Sequence, residues 1–379
     1  MKKLLLGTTA IVGASFMATA AMAKPEVRLG GFMNFQVGIV TQDHEGFGPS
    51  PGGVTATANE RGYDFLTDNE IIIRVSDKLD NGLAWSLKIE LEANTDDGQV
   101  AGDASTADEV TLTFSGSWGQ LFFGSDDGPA DTMKTGAKRA VSDAGTGGVG
   151  GDFRRWVNWT TATTRYWSNA ADTRDTSDAT KIAYITPRFA GFQAGVSFSP
   201  DRDTDGRYRD PDNNGTEQSW WELGINYDQK FDQFRIRASL TGDLADNENT
   251  ARNDTRNWYA GTTLSFGGFS LGGGYGRENE RGLAKTTSNG DISGWDVGLG
   301  YEMGAWNFGL SYYRTKGGVP NGSGDHKLSV AALGATYDLG NGLSIYAEGV
   351  WFNADSATNT TTSFDNEGVA LITGIGVEF

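Results

Sequence analysis

The sequence predicts an all-β protein, a sixteen-stranded antiparallel transmembrane β-barrel. Three observations predict it: long runs in which apolar and polar residues alternate, short turns that alternate with longer polar connections, and an apolar final strand that ends on Phe379. The high glycine count of 54 and the low proline count of 8 are typical of a protein with many β-strands. The lack of Cys excludes disulfides and thiolate metal sites. A mean hydropathy of -0.42 is too polar for a bundle of membrane-spanning helices.

The chain opens with a predicted secretory signal peptide, residues 1–23. Two lysines precede an apolar run over residues 4–17, and Ala21-Met22-Ala23 forms a small-x-small cleavage signal. Because glycine, serine and threonine interrupt this short run, a permanent membrane anchor fits less well. We therefore predict export and cleavage, with the barrel formed by residues 24–379.

Turns divide the rest of the chain at regular intervals, and Asn-Gly between alternating apolar residues is a strong hairpin signal. Short turns are predicted at Asn81-Gly82, Trp118-Gly119, Ala190-Gly191, Phe231-Asp232, Gly267-Gly268, Gly304-Ala305 and Asn341-Gly342. Longer polar connections are predicted near 41–65, 96–107, 126–178, 201–218, 245–256, 278–292, 315–326 and 354–367. Seven short and eight long connections alternate along the chain, so fifteen connections join sixteen strands.

The predicted strands each have one apolar face and one face of polar residues or glycine. Residues 83–91, 192–198 and 295–302 show this period of two. Strands of a soluble β-sandwich also alternate, but they average about 5–6 residues. The runs in this chain extend to about 10–12 residues, long enough to cross a membrane at a tilt, and Trp and Tyr gather near their ends as in an aromatic girdle. The pattern therefore favours a membrane barrel.

The final strand, GVALITGIGVEF, alternates between two faces up to the aromatic Phe379. Its apolar face carries Val369, Leu371, Thr373, Ile375 and Val377, and the opposite face carries Ala370, Ile372, Gly374, Gly376 and Glu378. An unpaired edge of this kind invites aggregation in a soluble protein. We predict that the strand pairs with the first one, VRLGGFMNFQVGIV, and that lipid covers its apolar face. Within the barrel, Gly272-Gly273-Gly274 sits inside a strand, where glycine permits curvature or close approach.

These features resemble the general porins of Gram-negative outer membranes, especially those of alphaproteobacteria. The resemblance runs from the signal peptide through the alternating turns and loops to Phe379, which in that family is read by the outer-membrane assembly machinery. The segment GQLFFGSDDGPADTM, residues 119–133, is similar to the junction after the fifth strand, where the family's third long loop folds back into the lumen.

The resemblance implies a homotrimer surrounded by outer-membrane lipid and lipopolysaccharide. It also implies a channel, since sixteen strands leave an open aqueous lumen through which small hydrophilic solutes and ions diffuse passively. A solute-selective channel and a non-conducting structural or adhesive barrel remain as alternatives. Neither a cofactor nor an enzymatic activity is expected, because His44 and His326 are the only histidines. The net charge of -18 argues against a nucleic-acid partner.

A basic strip is predicted on the lumen side of the first strands. By strand parity, Arg74 and Lys88 point into the lumen at similar distances from the Asn81-Gly82 turn, which makes them cross-strand neighbours. Arg28 stands beside them once the barrel closes. Like charges placed directly opposite each other destabilise a sheet, so stability gives no reason for this arrangement.

We predict that this strip faces carboxylates of the inward-folded third long loop across the narrowest section of the pore. The first candidates are Asp126, Asp127 and Asp131. Opposed charges of this kind create a transverse field that filters ions and orients dipolar solutes. The alternative is that Glu70 and Glu90 merely neutralise the basic side chains on a wet wall.

A loose calcium site in an external loop is a further hypothesis. In the segment DRDTDGRYRDPD, Asp201, Asp203 and Asp205 precede Gly206 with the spacing that begins a calcium loop. Asp212 takes the twelfth position, where an EF-hand has Glu, and no helix is predicted on either side, so an EF-hand is rejected. A solvated acidic loop is the favoured interpretation of this segment.

Overall fold

The described part of the chain forms a closed barrel. In this computed structural model the described residues are 25–43, 61–92, 107–148, 152–157, 175–202, 217–279, 281–322, 324–355, 357 and 365–379. The predicted signal peptide lies outside these residues, as do Asp203, Asp205 and His44.

Sixteen antiparallel strands make up the barrel, as predicted. They are β1 (Glu26–Gln42), β2 (Tyr63–Lys78), β3 (Ala84–Glu92), β4 (Ala107–Gly116), β5 (Gly119–Ser125), β6 (Thr180–Ile185), β7 (Phe192–Asp201), β8 (Glu217–Phe231), β9 (Phe234–Asn247), β10 (Thr255–Phe266), β11 (Phe269–Glu278), β12 (Ile292–Met303), β13 (Trp306–Gly318), β14 (Asp325–Gly340), β15 (Leu343–Asp355) and β16 (Asn366–Glu378). Each strand pairs with its neighbours in the chain, and β1 pairs with β16. All seven predicted short turns lie between strands, and the eight longer connections alternate with them.

Pairing of β1 with β16 closes the barrel, as the sequence predicts. The Phe379 N–H donates to the Gly31 carbonyl oxygen at 3.0 Å, and the Gly31 N–H donates to the Phe379 carbonyl oxygen at 3.1 Å. A Cβ atom at Gly31 would lie 2.3 Å from the carbonyl oxygen of Glu70 on the other side of β1. Glycine is therefore needed where the first strand passes between its two neighbours.

The two faces of the barrel wall differ in polarity. Large apolar side chains on the outer face are exposed in the isolated chain, among them Leu223, Leu240, Leu271, Leu299, Leu310, Leu333 and Leu371. The opposite face carries buried polar side chains such as Glu222, Ser239, Thr263, Asp296 and Glu348. Aromatic pairs such as Trp258–Tyr275 and Trp295–Tyr312 join neighbouring strands on the outer face. This pattern fits a wall with lipid on one side and water on the other.

The described helices are short and all lie between β5 and β6. They are α1 (Pro129–Thr132), α2 (Ala137–Val141) and a 3-10 turn over Asp152–Arg155. The α1 helix begins with Pro129 directly after Gly128, a position where the missing N–H of proline costs nothing. Among the described residues, no helix is long and apolar enough to cross a bilayer.

An apolar cluster lies on the lumen face of β13 to β16. On the other strands, glycine or polar residues predominate on that face. Val330, Phe352 and Ile372 are fully buried in the cluster, and Phe153 of the 3-10 turn packs against them. Burying a side chain of this size contributes about 1.5–3 kcal/mol. The cluster therefore fixes part of the β5–β6 connection against one side of the barrel.

Candidate pore constriction

The connection between β5 and β6 runs along the polar face of the barrel wall. Backbone N–H groups of its first part donate to strand side chains in sequence: Ala130 to Glu222 at 3.4 Å, Thr135 to Ser239 at 3.0 Å, Ala137 to Asp296 at 3.0 Å, Gly145 to Thr336 at 2.9 Å and Gly148 to Glu348 at 3.1 Å. The acceptors belong to β8, β9, β12, β14 and β15. Residues 129–148 therefore cross the polar face from one side of the barrel to the other.

Glycines of the wall let this segment approach the strands closely. A Cβ atom would lie 1.9 Å from the Thr135 carbonyl oxygen if placed at Gly261, and 2.1 Å from the Gly136 carbonyl oxygen if placed at Gly272. At Gly300 it would lie 2.0 Å from the Ala140 carbonyl oxygen. Gly272 belongs to the predicted glycine run, and it permits the close approach that such a run predicts.

Two buried carboxylates of the wall bind the connection at separate places. Glu222 accepts hydrogen bonds from the N–H and hydroxyl of Thr176, close to β6, as well as from Ala130. Glu348 accepts from the Thr146 N–H at 3.0 Å and from the Thr146 hydroxyl at 2.7 Å. Glu222 and Glu348 therefore each hold the connection through more than one hydrogen bond and act as anchors.

A buried lysine joins the two ends of the connection. The ammonium group of Lys181 donates to the carbonyl oxygens of Asp126 and Ser177. Asp126 directly follows β5, and Lys181 lies at the start of β6. Lys181 therefore fixes the position of the chain where it leaves β5 and where it enters β6.

The predicted basic strip occupies neighbouring positions in the sheet. Arg28 is opposite Arg74, and Arg74 is opposite Lys88, which confirms the predicted pairing. Lys88 contacts Glu109 and lies 3.2 Å from both Glu90 and Asp126.

The other two side chains of the strip pair with nearby acids. The Arg74 guanidinium is 3.6 Å from Glu90, and Nε of Arg28 donates to Glu26 at 2.8 Å. Both of these basic side chains are more than half exposed. Lys88 is thus the member of the strip that the protein encloses, and strand carboxylates surround it together with one loop carboxylate.

The three candidate loop carboxylates have different surroundings. Asp126 reaches Lys88, whereas Asp131 accepts a hydrogen bond from Lys134 of its own loop at 3.3 Å. Burial, together with the nearby Asp131 and Asp175, raises the pKa of Asp127 to about 8. Burial also acts on Asp131, but Lys134 and Lys138 lower the pKa of that carboxyl below its ordinary value. The structure brings only Asp126 into contact with the basic strip.

A family model for Gram-negative porins matches residues 7–357. The chain belongs to the Gram-negative porin family. The porin is 26% identical over 215 residues to outer membrane porin protein 32 of Delftia acidovorans, a match covering 55% of this chain and 54% of that protein. It is 28% identical over 249 residues to an uncharacterized protein of Rickettsia typhi, covering 60% of this chain and 54% of that one. The porin thus matches about half the length of these curated relatives.

Solved structures with the same fold cover nearly the whole porin. An anion-selective porin from Comamonas acidovorans aligns with a TM-score of 0.61 and 16% identity, covering 94% of this chain and 100% of that one. The trimer form of OmpT from Vibrio cholerae aligns with a TM-score of 0.61 and 11% identity, covering 94% and 100%. These likenesses show the fold, and the family places the porin in the outer membrane of a Gram-negative bacterium.

A second group of basic side chains in the porin was missed by the sequence analysis. Arg235 and Arg237 of β9 lie near Arg139 of α2, and Arg235 forms a two-point ion pair with Asp228 of β8. The signal was present, because Arg235 and Arg237 alternate with Ile236 as Arg74 alternates with its apolar neighbours. The approach of Arg139 depends on the path of the loop and has no local sequence signal.

Among the described residues, acidic groups supply one place where a cation would fit. Carboxylate oxygens of Glu70, Glu92 and Asp108 lie within 4.8 Å of one another. Acidic clusters of this kind are common on protein surfaces without a bound ion. Asp201 of the calcium hypothesis is buried at the end of β7, and the other two aspartates of that hypothesis lie outside the described residues.

Proposed function

We propose that this porin forms a water-filled channel for the passive diffusion of small hydrophilic solutes and ions across the outer membrane. The observation that carries the proposal is the closed sixteen-strand barrel with an apolar outer face and a polar, charged inner face. A barrel of this size has an interior too wide to be filled by its own wall side chains. A polar lining keeps water in that interior.

The connection between β5 and β6 serves, in this proposal, as the inward-folded third loop that narrows the channel. Its hydrogen bonds to Glu222, Asp296 and Glu348 support this role, because all three lie on the face opposite the apolar one. The apolar cluster around Phe153 adds a second attachment. The acidic surroundings of Lys88 then form one side of the constriction, where they act on passing ions.

A homotrimer in outer-membrane lipid and lipopolysaccharide belongs to the same proposal. Strands β5 and β6 contain only 7 and 6 residues, whereas β1 contains 17, so the strands are shorter on this side of the barrel. A neighbouring subunit would cover this side. One of the solved structures with the same fold is described as a trimer. The paired strand that ends on Phe379 is proposed to be what the assembly machinery recognises.

Catalysis does not form part of the proposed function. His326, the histidine within the described residues, accepts a hydrogen bond at Nδ1 from the Ala357 N–H at 3.3 Å. That bond ties the ring to a loop, which is a structural use of an imidazole.

Recordings from purified porin in planar bilayers test the proposal. Stepwise, ohmic current increases in KCl are the expected result. An absence of steps from correctly folded porin would overturn the proposal and favour the structural or adhesive alternative. Steps that one class of solute blocks at low concentration would favour the solute-selective alternative.

A further inference from the structure

A cavity of about 220 Å³ lies at the short-turn end of the barrel, between α2 and the wall. Its cationic side chains are Arg139, Lys230, Arg235 and Arg237. Two carboxylates, Asp143 and Glu302, also line it. The floor is formed by the Gly267-Gly268 turn and by serine hydroxyls. The cavity thus combines charged donors, neutral donors and enough room for a small solute.

The cations of this cavity are only partly neutralised by the wall. Asp228 of β8 forms the two-point ion pair with Arg235 and is 3.6 Å from Nε of Arg237. That separation is too long for a hydrogen bond. Nε of Arg237 is buried and has no hydrogen-bond partner. Leaving a charged donor without an acceptor is costly, so an acceptor supplied from outside would stabilise the site.

Crowding of like charge points to an anion as that acceptor. Burial and the neighbouring Arg235 lower the pKa of Arg139 while Asp143 and Asp228 act in the opposite direction, so this guanidinium lies in a poorly solvated place among both cations and carboxylates. Arg235 is directly opposite Lys230 across the β8–β9 pair. Repulsion among three basic side chains falls when an anion enters between them.

We propose that this cavity is a binding subsite for small oxyanions, carboxylates or phosphates, on their way through the channel. The inference rests on the proposed channel function and names a solute class for it. The planar guanidinium groups of Arg139 and Arg237 present paired N–H donors that match the paired oxygens of such anions. Lys230 adds charge to the lining, and Ser142, Ser265 and Ser270 add neutral hydroxyl groups.

The position of the subsite would give it an effect on transport. Arg139 belongs to α2 of the loop and Arg237 to β9 of the wall beside it, so an anion held between them bridges the loop and the wall. A concave, positively charged surface of low polarisability raises the local concentration of anions. The subsite would then favour oxyanions, whose two oxygens can each accept one of a pair of parallel N–H donors, over chloride, which has a single acceptor atom.

Equilibrium binding and current are the two measurements that test this inference. Isothermal titration of detergent-solubilised porin with inorganic phosphate, and separately with succinate, should show saturable binding of one or both at low ionic strength. The comparison between the two anions tells which oxyanion the cavity prefers. An absence of saturable binding for both anions would overturn the inference.

Variants connect the binding to the cavity. Replacing Arg139→Gln and Arg237→Gln together should raise the half-saturating concentration about tenfold or more, as expected when charged hydrogen bonds are lost. Replacing Asp228→Asn should instead tighten binding, because it removes the competing carboxylate, and misfolding cannot produce that gain. The matched control is Arg256→Gln, which removes a guanidinium that is 71% exposed on β10. Equal binding by the double variant and the wild type would also refute the subsite.

The same protein in planar bilayers separates this inference from the proposed function. KCl steps without any effect of phosphate or succinate on conductance, together with no saturable binding in the titration, would leave the channel standing and remove the subsite. Saturable binding in the titration without any KCl steps would leave the subsite standing and refute the channel. Block of KCl current by the preferred oxyanion, weakened in the double variant, is the result that supports both.

Discussion

At the scale of single residues, the basic side chains of the lumen differ in how many carboxylates surround them and in how exposed they are to solvent. Lys88 is enclosed by Glu90, Glu109 and Asp126. Arg74 is more than half exposed, and its guanidinium is 3.6 Å from Glu90. Charges that are desolvated act strongly on their neighbours, and exposed charges are screened by salt. We therefore expect the selectivity of the proposed constriction to depend more on Lys88 than on Arg74.

Replacing Lys88→Gln should increase the preference of the channel for cations. The change removes the cation that balances three carboxylates, so the local potential becomes more negative. The reversal potential in a KCl gradient at low salt measures the effect. Lys316→Gln is the control, since that ammonium is 60% exposed on β13. A reversal potential that is the same in both variants would contradict the prediction.

Raising the pH through about 8 should also increase cation preference, through Asp127. Because burial raises the pKa of this carboxyl, it keeps its proton at neutral pH and becomes negative only above that value. In the unfolded chain the same carboxyl loses its proton near pH 4, so the stability linked to Asp127 falls as the pH rises from about 4 to about 8 and stays constant above that. Reversal potentials at pH 6.5 and 9.5 should differ in the wild type, and the difference should shrink in Asp127→Asn. Equal pH responses of the two proteins would be evidence against this role.

At the scale of elements, the porin combines a regular wall with a loop that is attached at many points. The short α2 helix could not persist alone, because helices of this length are unstable in water. The Ala137 N–H donates to Asp296, and the helix packs directly on glycines of β11 and β12. The wall therefore determines the conformation of the loop, and the glycines set how closely it approaches.

Substituting Gly300→Ala should displace α2 and change the conductance of the channel. The new Cβ atom would lie 2.0 Å from the Ala140 carbonyl oxygen, so the helix has to move or the strand has to bend. Overpacking of this kind costs about 1–3 kcal/mol. Gly349→Ala is a matched control, because a Cβ atom there meets nothing within 4 Å. The urea unfolding midpoint and the single-channel conductance are the measurements, and a Gly300→Ala protein that behaves like the control would disprove the contact.

At the scale of the whole molecule, the barrel depends on a junction between the two ends of the described chain. Strands β1 and β16 pair from Phe32–Glu378 to Gln42–Gly368, and the backbone bonds between Gly31 and Phe379 extend this ladder by one residue. Closure leaves no unpaired edge in the sheet, which is the condition for strands to exist in a bilayer.

Deleting Phe379 should impair insertion into the outer membrane beyond the loss expected for a single apolar side chain. Burial of one such side chain in lipid contributes about 1.5–3 kcal/mol, but the deletion also removes the last backbone pair of the junction. The amount of heat-modifiable porin in isolated outer membranes is the measurement. Phe266→Ala, which removes an outward phenylalanine that is 58% exposed, is the control. Normal levels of the deletion variant would argue against recognition of this strand.

Most of the wall could be predicted from the sequence because its rules are local. A period of two fixes which side chains share a face, and the turns place left-handed backbone at Gly82 and at Asn341-Gly342, which glycine and asparagine tolerate. Strand number, closure and the neighbouring positions of Arg28, Arg74 and Lys88 follow from those rules.

The constriction was decided by tertiary structure. Whether Asp126 or Asp131 meets Lys88 depends on where the chain turns after β5, and Lys181 fixes that turn from a strand 55 residues away. Arg139 reaches the arginines of β9 because the β5–β6 connection contacts polar side chains of strands far along the chain. By itself, the sequence determined the wall, since hydrogen bonding between adjacent strands repeats one geometry. Only the folded barrel determined the pore, since contacts across a lumen join residues whose separation in the chain carries no periodic signal.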